Sequence, residues 1–248
     1  MIKEAIILAG GLGTRLRSVV SDVPKCMAPV NGNPFLYYVL SHLRKEGITD
    51  FIFSLGYKSG DIIDYIESSS DQLTIKNYQF STEKEPLGTG GAIRLALEKT
   101  SGENVIIVNG DTLFSIDVNA ISNFHLRQDA DCTLCLKPMK NFDRYGVVEL
   151  NSDQSIRSFK EKHFYPSGLI NGGVYALNIA RFKQETFPEK FSFEKDYLEK
   201  FTGKRKFYGI EQDRYFIDIG IPEDYERAQK ELLISYGSLV KKSSGKQE

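Results

Sequence analysis

The chain has few of the features that mark several common classes of protein. Its three cysteines among 248 residues do not suggest a disulfide framework, and its three histidines fit no metal-ligand spacing. No apolar run approaches the about 20 residues that a membrane-spanning helix needs, and the first residues show no signal-peptide pattern. The formal net charge of -1 gives no broadly basic surface for nucleic acid. We therefore expect a cytoplasmic protein with neither membrane nor nucleic-acid partners.

Two of the cysteines, Cys132 and Cys135, form a CxxC pair of the kind found in metal and redox sites. They lie within residues 131–137, where the pattern predicts a β-strand. Residues three apart on a strand point to opposite faces of the sheet, so the two thiols are not placed to act together. We predict buried structural cysteines rather than a metal or redox pair.

A glycine-rich turn near the start of the chain is the first functional signal. Residues 5–9 form an unbroken apolar run, which is typical of a strand buried on both faces of a parallel sheet. Gly10, Gly11 and Gly13 follow, and glycine lets the backbone turn sharply and bring its N–H groups close to an anion. Arg15 adds a permanent cation whose forked donors suit phosphate. Strand, turn and cation together predict a polyphosphate site.

Two familiar versions of such a turn do not fit the residues. A P-loop ends in Lys-Ser or Lys-Thr, and neither pair is present here. A dinucleotide-binding turn needs a third glycine where Leu16 stands, and an acidic residue at the end of the second strand, which residues 51–56 do not provide. An NAD-dependent oxidoreductase is therefore disfavoured.

The order of predicted elements indicates an α/β fold. Through Asp111 the pattern is βαβαβαβ, which predicts a Rossmann-like mixed, mostly parallel sheet flanked by helices. Asn33 is predicted to cap the first helix, with Pro34 in its first turn. Ligands of such sheets gather beyond the carboxyl ends of the strands, where the loops 10–15, 85–91 and 109–111 are expected to meet.

The chain is expected to form one domain over residues 1–240. Residues 1–115 would make its first half, which contains the predicted polyphosphate site, and residues 116–240 its second half. The polar residues 241–248 are expected to be a disordered tail.

Two aspartates end apolar strands and are predicted to bind a metal ion. Asp111 follows a buried run, where an unpaired carboxylate is costly unless it meets a cation. Asp218 also follows an apolar run and precedes a glycine turn. Mg²⁺ favours one or two carboxylates together with substrate phosphates, so we expect Asp111 and Asp218 as its ligands. Capping of a strand-end turn is the alternative for both.

The glycine turn, residues 10–16, and the later segment 24–29 together resemble the signature of the sugar-1-phosphate nucleotidyltransferases. The resemblance runs through the whole chain and implies a glycosyltransferase-A-like fold without a C-terminal β-helix domain. It implies that Arg15 and Lys25 hold the triphosphate, so that Arg15, Lys25 and Asp111 are the catalytic residues. Cys26 stands where the family often has proline, and no role requires its thiol.

The resemblance also implies that residues 1–115 form a nucleotide-binding half and residues 116–240 a sugar-phosphate-binding half, with one set of binding residues for each ligand. The nucleotide-binding set is Leu8, Ala9, Gly10, Gly11, Gly13, Thr14, Glu85, Pro86, Leu87, Gly88, Thr89 and Asp111. The sugar-phosphate-binding set is Tyr145, Gly146, Glu161, Lys162, Asn171 and Gly172. Glu85 is expected to accept from a guanine edge, or else to brace its own loop. Lys160 competes with Lys162 as the phosphate cation, and packing is the alternative for Tyr145.

Among the subfamilies, the chain is most similar to the D-glycero-α-D-manno-heptose 1-phosphate guanylyltransferases. The matching stretches are residues 17–25, 87–92 and 221–225. The resemblance implies Mg²⁺-dependent transfer of GMP from GTP to a sugar 1-phosphate, for surface-polysaccharide synthesis. Mannose 1-phosphate or another nucleoside triphosphate remain alternatives, as does a non-catalytic nucleotide-sugar sensor. A homo-oligomer is compatible with the sequence.

Overall fold

A computed structural model describes residues 1–11, 16, 20 and 23–243 of the chain, with side chains as far as residue 232. Within these residues, no helix is both long and apolar enough to cross a membrane. The predicted phosphate-binding residues Gly13, Thr14 and Arg15 lie outside the described residues.

The described chain forms thirteen strands and six α-helices, together with three short helical segments of other types. The strands are β1 (Glu4–Leu8), β2 (Pro29–Val30), β3 (Asn33–Pro34), β4 (Asp50–Leu55), β5 (Asn77–Thr82), β6 (Asn104–Asn109), β7 (Thr112–Phe114), β8 (Cys132–Phe142), β9 (Val147–Leu150), β10 (Ile156–Lys160), β11 (Tyr165–Asn178), β12 (Phe207–Glu211) and β13 (Phe216–Asp218). The α-helices are α1 (Phe35–Lys45), α2 (Ser59–Leu73), α3 (Gly88–Ala96), α4 (Val118–Arg127), α5 (Ile179–Phe182) and α6 (Pro222–Ser243). Lys25–Met27 and Leu97–Lys99 are 3₁₀ turns, and Phe193–Glu199 is a π-helical segment.

One large mixed sheet forms the centre of the molecule. Its main path is β10-β9-β11-β6-β1-β4-β5, and β8 pairs with both β11 and β12. Strands β6, β1, β4 and β5 are parallel, whereas β11 runs antiparallel to β6. The expected α/β architecture, a mixed and mainly parallel sheet flanked by helices, is confirmed.

The unbroken apolar runs arise because the parallel strands are covered on both faces. Ile7 of β1 packs with Phe53 in a core shared with α1 and α2. Ile6 points to the opposite face, where it packs with Ile52 and with Ile93 of α3. Successive strand residues point to two faces that are both buried, so polar and apolar residues do not alternate along these strands.

The short β7–β13 pair joins the two halves of the chain. Thr112 of β7 lies opposite Asp218 of β13 in an antiparallel register. Beyond the pair, the N–H of Ile219 donates to the carbonyl of Asp111 at 3.2 Å. This pairing brings the ends of two strands, and their aspartates, to the same place.

The first helix begins differently from the prediction. Asn33 does not cap it, because Asn33 and Pro34 form β3 and pair with β2. Helix α1 begins at Phe35, whose N–H donates to the carbonyl of Ala28 at 2.9 Å. The apolar stripe of this helix is buried, and consists of Phe35, Leu36, Val39, Leu40 and Leu43.

The end of the last helix also differs from the prediction. Helix α6 continues to Ser243, so residues 241–243 of the expected tail are helical, and residues 244–248 lie outside the described part of the chain. Cys132 and Cys135 are both buried on β8, as predicted.

Candidate active site

A cavity of about 610 Å³ lies where the strand-end loops converge. Its walls come from Gly10 and Gly11 after β1, from Gly56 and Tyr57 after β4, and from Asp111 after β6. Residues 83–86, 88 and 89 close another side, whereas Leu87 of the predicted set does not line the cavity. The predicted meeting of three loops at the carboxyl ends of the parallel strands is confirmed for their described residues.

Backbone hydrogen bonds continue beyond the strands and hold these turns side by side. The N–H of Ala9 donates to the carbonyl of Ser54 at 2.9 Å, and the N–H of Gly110 donates to that of Leu8 at 2.8 Å. Leu8 lines the cavity, whereas the side chain of Ala9 is buried in the core. Of the predicted nucleotide-binding residues that follow β1 or end it, Leu8, Gly10 and Gly11 therefore face the cavity.

Glu83 braces the loop that was expected to read the base. Its Oε2 accepts from the N–H of Leu87 at 3.1 Å. A Cβ built on Gly56 would lie 2.4 Å from Glu83 Oε1, and one on Gly10 would lie 3.2 Å from it. The carboxylate therefore links three turns of the cavity. The sequence interpretation missed Glu83, although its place directly after β5, at the shared edge of the sheet, was a signal.

Glu85, to which the bracing role was assigned as an alternative, is exposed and lines the cavity with Pro86. No described residue forms a hydrogen bond or ion pair with its carboxylate. Its predicted contact with a base edge is therefore sterically open, and stays a prediction.

The rest of this loop is held by the second half of the chain. Gly88 has a φ of +73°, and a Cβ there would lie 2.5 Å from the carbonyl oxygen of Phe191. Phe191 donates to the carbonyl of Leu87 at 3.0 Å and accepts from the N–H of Gly90 at 3.0 Å. Thus Gly88 is required by a close backbone approach, and helix α3 begins there.

Thr89 lines the cavity, but its hydroxyl is used within the protein. It donates to Glu194 Oε2 at 2.6 Å and accepts from the N–H of Phe193 at 2.9 Å. The sequence pattern gave no sign of these partners, because more than a hundred residues separate them from Thr89. Its side chain therefore fixes the loop to the π-helical segment.

Lys25, Asp111 and Asp218 meet beside the cavity. Lys25 Nζ lies 2.5 Å from Asp111 Oδ2 and 3.3 Å from Asp218 Oδ1. Their side chains are 13%, 32% and 21% exposed respectively. The N–H of Gly220 also donates to Asp218 Oδ1 at 2.8 Å. The two aspartates that were predicted to act together do lie together, on either side of one ammonium group.

This arrangement fits a divalent cation with oxygen ligands. Both carboxylates already accept a shared cation, the ammonium of Lys25, and carboxylate oxygens are the ligands that Mg²⁺ prefers. Among the described residues, no group of three or more His, Cys, Asp and Glu side chains is placed to hold a metal. An ion held by Asp111 and Asp218 would therefore complete its coordination with water or substrate oxygens.

Tyr145 lies against the same carboxylate. Its hydroxyl donates to Asp218 Oδ2 at 3.5 Å, and its ring meets Phe216 edge-on with centroids 6.0 Å apart. Burial, followed by the nearby charge of Asp218, raises the pKa of Tyr145 well above its usual value. A Cβ on Gly146 would lie 2.4 Å from the carbonyl oxygen of Lys160, so Gly146 lets the end of β10 approach.

Asn171 and Gly172 form an irregularity in β11 next to β7. Asn171 Nδ2 donates to the hydroxyl of Tyr175 at 2.9 Å, and its Oδ1 accepts from the N–H of Gly173 at 3.0 Å. A Cβ on Gly172 would lie 2.4 Å from the ring of Phe114. Gly172 therefore lets β11 pack closely against Phe114 of β7, the strand that follows Asp111, and the side chain of Asn171 is occupied by its own strand.

Glu161 and Lys162 are exposed on the loop between β10 and β11. No described residue pairs with either side chain. Lys160, in contrast, forms an ion pair with Glu149, which Arg157 also contacts at 2.9 Å. Hydrogen bonds from these partners, with Lys160 first, lower the pKa of Glu149 to about 2. Lys162 is therefore the cation of this segment left for an outside anion.

Cys26 does not take part in this chemistry. It is buried directly after Lys25, and burial, followed by the charge of Asp111, raises the pKa of its thiol to about 12. A thiolate is therefore disfavoured, as the sequence interpretation expected.

Comparisons with known proteins identify a family and individual relatives of the chain. Residues 4–235 match the family profile described as nucleotidyl transferase. The chain is 54% identical to a D-glycero-α-D-manno-heptose 1-phosphate guanylyltransferase from Aneurinibacillus thermoaerophilus over 92% of this chain and 98% of that protein. It is 46% identical to the protein of the same name from Campylobacter jejuni, over 90% and 96%. The crystal structure of HddC from Yersinia pseudotuberculosis has 38% sequence identity with this chain and superposes with a TM-score of 0.84. The match covers 93% of this chain and all of that one. A second crystal structure of the same HddC is a complex with GMP-PN.

Proposed function

Since the chain belongs to the nucleotidyl transferase family, we propose that it transfers GMP from GTP to D-glycero-α-D-manno-heptose 1-phosphate. The products are GDP-heptose, for surface-polysaccharide synthesis, and pyrophosphate. The observation that carries the proposal is the meeting of Lys25, Asp111 and Asp218 beside a cavity of about 610 Å³. The names of the two relatives compared above support the choice of heptose and guanine.

The reaction needs alignment and charge neutralisation rather than a protein nucleophile. A phosphate oxygen of the sugar 1-phosphate attacks the α-phosphorus of GTP, the bond to the bridging oxygen of the β-phosphate breaks, and pyrophosphate leaves with that electron pair. Lys25, whose side chain is only 13% exposed, places a positive charge beside the cavity wall formed by Asp111. Arg15 is assigned the triphosphate on the strength of its motif.

We propose that the reaction also needs Mg²⁺. Asp111 and Asp218 would hold it, and when bound it would neutralise charge on the crowded phosphates. The support is their shared contact with one ammonium group and their all-oxygen donor set.

Guanine recognition is assigned to the loop around Glu85. Guanine presents two N–H donors on its Watson–Crick edge, and a carboxylate can accept from both. Glu83 already accepts from Leu87, whereas Glu85 lines the cavity without a described partner. Pro86 and Gly88 line the same wall, where they leave room for a flat base.

The acceptor is assigned to the other side of Asp218. Tyr145 and Gly146 would lie against the sugar, with Asn171 and Gly172 behind it. Glu161 would bind hydroxyls, and Lys162 would bind the phosphate, since Lys160 is paired with Glu149.

A substrate panel tests the proposal. The protein is incubated with Mg²⁺, each of GTP, ATP, CTP, UTP and dTTP, and heptose, mannose or glucose 1-phosphate, and released pyrophosphate and nucleotide sugar are measured. We expect GDP-heptose as the preferred product. Preference for dTTP, CTP or UTP would contradict the assignment of guanine, and preference for mannose 1-phosphate would contradict that of heptose. A nucleotide-sugar sensor would bind GTP without releasing pyrophosphate from any pair.

A further inference from the structure

The last helix, α6, contacts both sides of the candidate active site. It begins at Pro222, shortly after Asp218 and the Gly220 turn. Two of its polar side chains, Asp224 and Gln229, bind segments that lie far away in the sequence. Asp218, the carboxylate shared by Lys25 and Tyr145, is thus covalently close to a helix that holds other parts of the site.

Gln229 holds the β2–β3 hairpin by both ends of its side-chain amide. Its Nε2 donates to the carbonyl of Pro29 at 2.7 Å, and its Oε1 accepts from the N–H of Asn31 at 2.9 Å. Asn31 Nδ2 donates in return to the backbone carbonyl of Gln229 at 2.8 Å, and the hydroxyl of Tyr225 also donates to Pro29. Because one partner is a carbonyl and the other an N–H, the orientation of the amide is determined by its partners.

The hairpin determines where Lys25 lies. Each of its strands has two residues, and Asn31 and Gly32 at its tip have φ values of +48° and +82°. A hairpin this short is marginally stable unless other elements hold it. Lys25 lies four residues before the hairpin, in the turn Lys25–Met27, so we expect a shift of the hairpin to move the ammonium group relative to Asp218.

Asp224 holds the turn that carries Tyr145. It is 8% exposed and forms ion pairs with Arg144 and, at 2.8 Å, with Arg227 of its own helix. The guanidinium of Arg144 lies over the Tyr145 ring, 5.5 Å from its centroid. Arg144 thus joins α6 to the aromatic ring whose hydroxyl reaches Asp218.

We propose that α6 is a clamp for the reaction: Gln229 positions Lys25, and Arg144, through its ion pair with Asp224, positions Tyr145. Both act through another residue on the groups around Asp218, so they are positioning residues rather than catalytic ones. The proposal rests on the proposed function for the reaction itself. Its physical basis is pre-organisation, since small displacements of aligned groups cost large factors in rate.

The first experiment separates the two arms of the clamp by steady-state kinetics. Gln229→Met keeps the length of the side chain and removes both hydrogen bonds of the amide. We expect kcat to fall about tenfold, with the KM for the sugar phosphate unchanged. Asn31→Gly gives the same result from the hairpin side, because glycine tolerates the positive φ there.

The Arg144 arm has a different expected signature. Arg144→Met should raise the KM for the sugar phosphate about tenfold, because the ring of Tyr145 loses its support. Arg144→Lys retains a cation for Asp224 and should restore most of the affinity. Lys230→Met is the control, because Lys230 is exposed on the same helix next to Gln229.

Thermal unfolding of each variant shows that it is folded at the assay temperature. The concentration of active enzyme is titrated for each variant, so that kcat is expressed per active molecule. A purely structural role would lower that concentration and leave both KM and kcat per active molecule unchanged in every variant. Unchanged kcat in both Gln229→Met and Asn31→Gly would overturn the arm to Lys25. Equal KM values for wild type and Arg144→Met would overturn the arm to Tyr145.

Amide hydrogen exchange tests whether Gln229 holds the β2–β3 hairpin without relying on the proposed function. If the wild type forms no nucleotide sugar from any substrate pair, the proposed function fails, and amide exchange over residues 25–34 still tests the clamp. We expect Gln229→Met to speed this exchange about tenfold or more, and Lys230→Met to leave it unchanged. Equal exchange in the two variants would overturn the clamp.

Discussion

The ammonium of Lys25 lies 3.3 Å from Oδ1 of Asp218, although 193 residues separate them in the chain. The same ammonium lies 2.5 Å from Asp111, at the end of β6. The β7–β13 pair and the β2–β3 hairpin bring these groups together. The apolar run before Asp218 predicted a strand at β13, whereas β7, β2 and β3 are too short to be recognised in the sequence. The centre of the site therefore depends on small elements, which makes it sensitive to changes that leave the large sheet intact.

Gly220→Ala is expected to damage the site while sparing the fold. A Cβ at this position would lie 2.9 Å from Asp218 Oδ1 and 3.1 Å from Lys25 Nζ. Both atoms end flexible side chains, so the structure can adapt by displacing the carboxylate and the ammonium. We expect kcat to fall about tenfold, measured by pyrophosphate release.

Gly60→Ala is the matched control for this substitution. Gly60 lies within α2, and a Cβ there has no atom within 4 Å, so the variant should keep full activity. Its stability should not fall, because alanine has the higher helix propensity and Gly60 lies in the first turn of α2. Full activity in Gly220→Ala would show that the contact with Asp218 is not needed.

Asp111→Asn is expected to abolish turnover without unfolding the protein. The substitution removes a charge that faces Lys25 and keeps the size of the side chain. We expect kcat to fall about 100-fold or more across a titration with Mg²⁺, with an unchanged unfolding temperature. Asp213→Asn is the control, since Asp213 pairs with Lys137 on the surface and is 76% exposed. Undiminished Mg²⁺-dependent activity in Asp111→Asn would remove the metal assignment.

The sequence predicted those parts of the fold that local pattern determines. The apolar runs of β1, β4 and β6 indicated strands buried on two faces, and the aspartate after β6 was expected at their shared edge. The signal in each case was a run within a few residues. Lys25 and Asp218 were assigned to the same site by the resemblance to a known family, since no local spacing relates residues so far apart.

The contacts between distant segments could not be predicted in this way. Thr89 forms a hydrogen bond with Glu194, and Gln229 forms one with Asn31. The residues that surround Thr89 or Gln229 in the sequence do not indicate these partners. Glu83 was passed over for Glu85 because both follow β5, and the choice depends on which side chain turns toward Gly56. Tertiary packing determines the direction of such side chains, and the spacing of residues in the sequence does not predict it.

Lys162 and Lys160 should differ in their effect on the acceptor substrate. Lys160 is paired with Glu149, whereas no described residue pairs with Lys162. Lys162→Met should therefore raise the KM for the sugar phosphate about tenfold or more, the cost of one charge-assisted hydrogen bond. Lys160→Met should change it less than about twofold. Initial-rate kinetics at saturating GTP measure both, and the reverse ranking would reassign the phosphate contact to Lys160.

His125 should make the stability of the protein depend on pH. It is buried, with Nδ1 2.9 Å from Thr133 Oγ1 and Nε2 3.0 Å from Asn104 Oδ1. Asn178 Nδ2 also donates to Asn104 Oδ1, at 3.1 Å, so this oxygen is the acceptor and Nε2 carries the proton of a neutral ring. Burial, followed by the charge of Arg181, lowers the pKa of His125 to about 4.

The direction of the effect follows from the two pKa values. In the unfolded chain the pKa of histidine is about 6.5, so between this pH and about 4 the unfolded state binds a proton that the folded state does not. Stability is therefore complete above pH about 6.5 and is lost as the pH falls, by about 2 kcal/mol at pH 5. His42, whose pKa burial also lowers, acts in the same direction. Urea unfolding at pH 7.5 and pH 5 measures the difference, which His125→Gln should reduce by about 2 kcal/mol. His163→Gln, a change at an exposed ring, should leave it unaltered, and an equal pH dependence in wild type and His125→Gln would show that the buried ring is not its source.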